Sequence, residues 1–288
     1  MKVKDINRSI NNFINNSLSN YSHIIDIAFL GSFSGHYGWK ETSFGDCDIW
    51  IYCHDISDKS IWSCIHAFLE SLKAYLQTEF PELITFFEVA YGPYKPSVDQ
   101  LVAEVLFLHI TVDDGESYKK HSDFTKLSWS KYTCYRNKNL LSDLCIRHKP
   151  LSLDLNTAKY GIYEGFDCLK KQSVDILKFN FDEGRIYTCT YHLGDHVFSE
   201  YMLYMAMTNA RNLFRAKGYS SADILPNSNF VQEFCEYTGS NSLMDIFKMK
   251  QLVEKHGYGI ISQQVLFDAV YAFLWELSTV WKAHSEIS

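Results

Sequence analysis

Apolar residues recur at helical spacing from Val3 to Leu18 (Val3, Ile6, Ile10, Phe13, Ile14, Leu18), which predicts a helix with one buried stripe. The pattern then contracts to a short continuous run, Ile24 to Leu30, cut off by Gly31-Ser32. Its length and its turn-residue boundary predict a strand. A segment rich in Gly, Ser and Tyr, 32–45, reads as a loop, and Asp46 to Cys53 as a second strand. With Ser57 as the expected N-cap, the stripe Ile61, Ile65, Phe68, Leu69, Leu72, Tyr75 and Leu76 predicts a helix ending before Pro81. Two more strands are expected, Leu83 to Tyr91 and Gln100 to Val112, with Gly92-Pro93-Tyr94-Lys95-Pro96 as a hairpin loop between them. Residues 113–155 are aromatic-rich and poorly periodic. Beyond about 156 the patterns are helical: 157–180, 195–217, 228–237, 243–256 and 261–284. The expected class is α+β: a mixed sheet with helices in an N-terminal domain, 1–125, then an all-helical domain, 126–288.

Composition narrows the setting. With 288 residues, 47% of them hydrophobic, the chain can bury one large core or two of ordinary size. No apolar run reaches the roughly 18 residues a spanning helix needs, so no membrane segment is expected. The start, MKVKDINRSINNF, lacks the apolar stretch of a secretory signal, and the expected location is cytoplasmic. Eight cysteines form no Cys-x-x-Cys pair and read as free thiols, not as a disulfide framework or zinc site. The net charge of −7, without any block of five like charges, argues against nucleic acid as the partner, because phosphate neutralisation wants a basic surface. A small-molecule or protein acceptor becomes the better expectation.

One stretch carries candidate chemistry. The strand Ile27-Ala28-Phe29-Leu30 delivers Gly31-Ser32 into a loop, and Gly45-Asp46-Cys47-Asp48 opens the next strand. Side chains alternate along a strand, so Asp46 and Asp48 project to one side. Carboxylates so placed repel one another unless a cation lies between them. Mg²⁺ suits them, being hard, oxygen-seeking and commonly held by one or two carboxylates plus substrate phosphates. Gly31 lets backbone N–H groups approach a triphosphate, and Ser32 adds a hydroxyl donor. Lys40 in the loop is a further candidate for a phosphate contact.

Gly31-Ser32 followed by Asp46-x-Asp48 resembles the signature of the nucleotidyltransferase superfamily with the DNA polymerase beta-like fold. The layout is most similar to antibiotic nucleotidyltransferases of the lincosamide and kanamycin type. The resemblance covers about the first 112 residues, and beyond them only the architecture. It implies a nucleotidyltransferase-type mixed sheet, two Mg²⁺ ions held by Asp46, Asp48 and a third carboxylate on a later strand, and a triphosphate held at Gly31-Ser32. The implied reaction moves a nucleoside monophosphate from an NTP, ATP being expected, to a hydroxyl of a small molecule. For the third carboxylate the resemblance favours Glu104, within the apolar Ala103-Glu104-Val105-Leu106-Phe107. Glu88 is the competitor, and Asp113 and Asp114 read as a solvated turn. Strand alternation puts Glu104 with Leu106, Leu108 and Ile110, and His109 on the opposite face with Val105, Phe107 and Thr111. On that basis His109 is expected to serve stability more than chemistry.

Elsewhere, His192, His196 and Glu200 would share a helix face that can bind zinc, but Gly194 and a helix start near Asp195 argue against it. Along the helix that follows, Glu200, Tyr204, Thr208, Arg211 and Arg215 form a polar stripe. It reads as a solvated face or as a cleft lining in which Glu200 orients an acceptor and Arg211 a phosphate. The rival functions are the same transfer to a protein or tRNA, a catalytically silent nucleotide-binding module, and a zinc hydrolase built on His192 and His196.

Overall fold

The computed structural model describes residues 3–30, 46–91, 105–132, 134–135, 141–150, 155–218 and 227–285. Helix α1 (Val3–Ser17) buries Ile6, Ile10 and Ile14, and α2 (Lys59–Glu79) buries Ile61, Ile65, Phe68, Leu69, Leu72 and Leu76. The α2 cap is Asp58, whose carboxylate accepts from the Ser60 N–H at 2.8 Å. Ser57, the expected cap, instead donates its own N–H and hydroxyl to Asp55. Phe68 packs against Phe13 of α1 and Tyr21. Its truncation to alanine would cost about 3–5 kcal/mol.

Both helices cover one face of a sheet. Strand β1 (Ile24–Phe29) runs antiparallel to β2 (Asp46–Cys53), which runs parallel to β4 (Val105–Asp113). Strand β3 (Ile84–Tyr91) lies parallel to β4 on its other side. The expected hairpin between the last two strands is therefore corrected. Gly-Pro punctuation marks a turn, but it does not say which strands pair or in which direction. Residues 92–104, where the predicted loop and Glu104 fall, lie outside the described residues. The helix-facing side takes Cys47, Ile49, Ile51 and Cys53 from β2 and Leu106, Leu108, Ile110 and Val112 from β4.

The reverse face carries a smaller cluster: Ala28, Leu30, Trp50, Tyr118, Leu141, Leu144 and Cys145. Three short helices supply it from the aromatic-rich stretch: α3 (Gly115–Lys120), α4 (Asp123–Tyr132) and α5 (Leu141–Arg147). A two-residue strand, β5 (Cys134–Tyr135), pairs with β1.

After α6 (Leu155–Lys171) the chain does not stay helical to 180 as the pattern suggested. It forms β6 (Ser173–Asn180) and β7 (Arg185–His192). Val174 and Ile176 are buried in alternation with exposed neighbours, a period-two signal that the preceding helical pattern obscured. Sheet order among the described strands is β5-β1-β2-β4-β3-β6-β7. The remaining helices, α7 (His196–Ala216), α8 (Asn227–Thr238), α9 (Ser242–His256) and α10 (Gln263–Ser285), match the predicted segments closely. The class is thus α+β, a mixed sheet with helices and a helical region.

The described residues within 1–92, 101–150 and 177–189 form one compact unit, and those within 151–176 and 190–288 another. The division near 150 lies within the poorly periodic stretch 113–155, where the boundary was expected, and comes later than 125/126 because α5 packs on the sheet. The first unit also reclaims 177–189, through the pairing of Tyr91 and Ala90 with Leu177 and Lys178. The described cysteines are free thiols, and no described helix is long and apolar enough to cross a membrane.

Candidate active site

The candidate site starts from β1 and β2. Antiparallel pairing sets Phe29 opposite Ile49, and the Leu30 N–H donates to the Asp48 carbonyl at 2.9 Å. Leu30 therefore lies beside the backbone of Asp48, although eighteen positions separate the two in sequence. Gly31, Ser32 and Lys40 lie outside the described residues. Asp46 belongs to β2 and pairs with Phe107, while its side chain lies outside the described ones.

Asp48 is described in full. Its register partner across the parallel ladder is His109, whose own partner on β3 is Glu88. Paired residues of neighbouring strands project to the same face, so these three stand in one row. His109 Nδ1 donates to Asp48 Oδ1 at 2.9 Å, and His109 Nε2 lies 3.1 Å from the Ala90 carbonyl oxygen. The His109 side chain is 10% exposed and that of Asp48 25%. Phe107 flanks the imidazole with nearly parallel rings, 6.4 Å between centroids. Glu88 ends the row in an ion pair, its Oε1 2.8 Å from Nζ of the buried Lys178 on β6.

His109 is the residue the sequence reading misassigned. It faces Asp48; it does not lie away from the site. The signal was present in β4 itself: Leu106, Leu108, Ile110 and Val112 form an unbroken apolar set, the mark of the core face. The mixed set Phe107, His109, Thr111 and Asp113 belongs to the other side, with Asp48. Glu88 is on the right face, but His109 stands between it and Asp48, at about 10 Å across two strand spacings. A groove of about 290 Å³ bounded by His66, Phe87, Phe181, Asp182 and Tyr187 opens beside Glu88, so it also is remote from Asp48.

Asp113 and Asp114 are not a solvated turn. Asp113 is 1% exposed and accepts from Trp50 Nε1 (3.1 Å), Ser117 Oγ (2.8 Å) and His121 Nε2 (2.9 Å). Asp114 caps α3, accepting from the N–H groups of Glu116 and Ser117 and from that of Ile56. Burial would raise its carboxyl, but those backbone donors together hold it below the usual range. Nearby, burial first and then the charges of Asp114 and Asp113 push the Cys53 thiol up to about 12.

In the second unit, His192 ends β7 and so lies outside the helix, while His196 begins α7 one turn before Glu200, so the three do not share a helix face. Asp195 precedes α7, but its carboxylate accepts from the His192 N–H at 2.7 Å instead of capping the helix. Glu200 is buried and accepts from the Tyr258 hydroxyl, and the Arg211 guanidinium lies 4.3 Å over the Phe230 ring. The polar stripe is thus partly buried within its own unit and is not simply a solvated face.

Asp48 has a second oxygen that a divalent cation held by one or two carboxylates and by phosphates would use, and among the described residues no group of three or more possible metal ligands is found. The β4 positions that face Asp46 and Asp48 are Phe107 and His109, and the carboxylate farther along that face, Asp113, has both oxygens taken by Trp50, Ser117 and His121. No protein-family model matches the chain, and a search of curated proteins finds no match.

Proposed function

We propose that the chain is a nucleotidyltransferase that moves a nucleoside monophosphate from an NTP, by expectation ATP, to a hydroxyl of a small molecule. One observation carries the reading. The Leu30–Asp48 backbone bond brings the entry to Gly31-Ser32 alongside the strand that starts with Asp46 and Asp48. A loop suited to a triphosphate and a pair of carboxylates suited to Mg²⁺ thereby depart from adjacent points of one sheet.

In the reaction the acceptor oxygen forms a bond to the α-phosphorus. The bond from that phosphorus to the bridging oxygen breaks, pyrophosphate leaves and the hydroxyl proton passes to solvent. Asp46 and Asp48 would hold Mg²⁺, which when bound neutralises charge on the phosphates and activates the acceptor oxygen. Gly31 and Ser32 would supply donors to the triphosphate, Lys40 would reach a phosphate, and Glu104 is the proposed third carboxylate. The −7 charge supports a small acceptor over nucleic acid.

The facing positions favour a second reading. With Phe107 and His109 opposite Asp46 and Asp48, the chain could bind a metal–triphosphate without transferring it. Mass spectrometry after incubation with each triphosphate, Mg²⁺ and a metabolite extract separates the two. An adduct of nucleotide mass on a small molecule, lost in Asp48→Asn, is the expected result. Triphosphate binding with no adduct on metabolite, RNA or protein would leave the silent module, and an adduct on RNA or protein alone would replace the acceptor class.

A further inference from the structure

Resting on the nucleotidyltransferase reading, we infer that His109 is a positioning residue that presents Asp48 to the metal through a single oxygen. The ring is anchored on both sides. Nδ1 holds Asp48 Oδ1 at 2.9 Å, Nε2 meets the Ala90 carbonyl oxygen at 3.1 Å, and Phe107 lies nearly parallel beside it. Those contacts tie the orientation of one carboxylate to backbone on the far side of β4.

A carboxylate on a strand end ordinarily rotates about its terminal bond and can offer either or both oxygens. Here Oδ1 is engaged, so Oδ2 is the oxygen left for a cation. The choice bears on which cation is taken. Mg²⁺ and Mn²⁺ accept single-oxygen carboxylate ligation in an octahedral shell, whereas Ca²⁺ takes more oxygens and readily grips a carboxylate by both. Partners that hold a metal ligand from behind typically change metal affinity by about 10–100-fold when removed. His109 is thus assigned both the geometry of Asp48 and part of the preference for a small cation.

Two near-isosteric variants separate positioning from packing. In His109→Asn the amide nitrogen takes the place of Nδ1 and keeps the bond to Asp48. In His109→Gln it takes the place of Nε2, keeping the Ala90 bond and losing Asp48. Binding of Mn²⁺ alone is counted by electron paramagnetic resonance on the full chain, and Ca²⁺ is titrated as competitor. The Ca²⁺-to-Mn²⁺ affinity ratio does not depend on the fraction of folded protein, so a partly unfolded variant still reports.

His109→Asn is expected to bind Mn²⁺ within about twofold of the parent. His109→Gln should lose at least about tenfold and shift the ratio toward Ca²⁺. Equal losses in both variants, or none in either, over a site that still depends on Asp48 would overturn the inference and leave the metal reading standing. Mn²⁺ binding that is absent, or indifferent to Asp48→Asn, would remove the metal reading itself and the inference with it.

Discussion

Two aspartate–histidine pairs stand on the same face of one sheet, Asp48 with His109 and Asp113 with His121, each joined at 2.9 Å. Their surroundings separate them. The Asp113 side chain is 2% exposed and accepts from Trp50, Ser117 and His121, which occupy both of its oxygens. The Asp48 side chain is 25% exposed, with one oxygen held by His109. Asp113 ties β2, β4 and α3 into one network, and a network with every member satisfied is rigid and specifies packing. Asp48 keeps an accessible acceptor, which is what a ligand requires. The same two side chains at the same distance thus serve a scaffold in one place and a candidate site in the other, and the lesson is that unused acceptor capacity, not residue type, distinguishes them.

The comparison breaks first at Asp48. Asp48→Asn, and likewise Asp46→Asn, should leave stability nearly unchanged and lower pyrophosphate release by about 10²–10³-fold or more, the scale of losing a preorganised charge stabiliser. Normal turnover in a folded double variant would reject the site. Asp113→Ala should do the reverse. It strands the buried Trp50 indole N–H and removes the partner of the His121 ring, and should cost about 3 kcal/mol in denaturant unfolding. An Asp113→Ala protein of parental stability would show that the saturated network contributes nothing.

Much of the fold was legible because its helices follow strong periodicity. The stripes of α1 and α2 are the residues that the structure buries, and α7 through α10 begin and end within a few residues of expectation. Pairing direction was not legible: turn residues between Tyr91 and Val105 look alike whether the flanking strands lie parallel or antiparallel. The hairpin β6–β7 was missed because Val174 and Ile176 continue an apolar pattern begun in α6. In the site, the strand that holds Asp46 and Asp48 could be read, but not which strand faces it. Register alone revealed His109, since a strand sequence gives two faces without saying which one is the core. Glu104 lies outside the described residues, so the register of β4 does not decide that assignment.

Glu88 sharpens the comparison at intermediate size. It shares the Asp48 face, yet its Oε1 is committed to Lys178, whose side chain is 6% exposed. Glu88→Gln removes the Glu88 charge from that ammonium and should cost about 1–3 kcal/mol of stability, with little change in turnover per folded molecule. Glu104→Gln, if Glu104 is the third ligand, should spare triphosphate affinity and depress turnover. A dead Glu88→Gln beside a normal Glu104→Gln, both measured by pyrophosphate release and thermal unfolding, would reverse that assignment.

The smallest expected effect tests whether the scaffold pair and its neighbour act through charge. Burial opposes ionisation of Asp114, but the N–H groups of Ser117, Ile56 and Glu116 outweigh it and depress the folded carboxyl. A depressed folded value means the native state binds the proton less readily than the unfolded chain. The contribution is therefore complete above the unfolded value, near 4, and is lost as pH falls through the folded one. Asp114→Asn keeps an acceptor for the α3 cap and removes the charge. It should cost about 1 kcal/mol at neutral pH, the scale of a cap, and the gap from the parent should narrow as pH drops below about 4. Unfolding midpoints measured from pH 7 to pH 3 decide it. A gap that stays constant, or widens with acid, would mean that the cap acts through shape alone and that the charge of Asp114 is irrelevant to the scaffold.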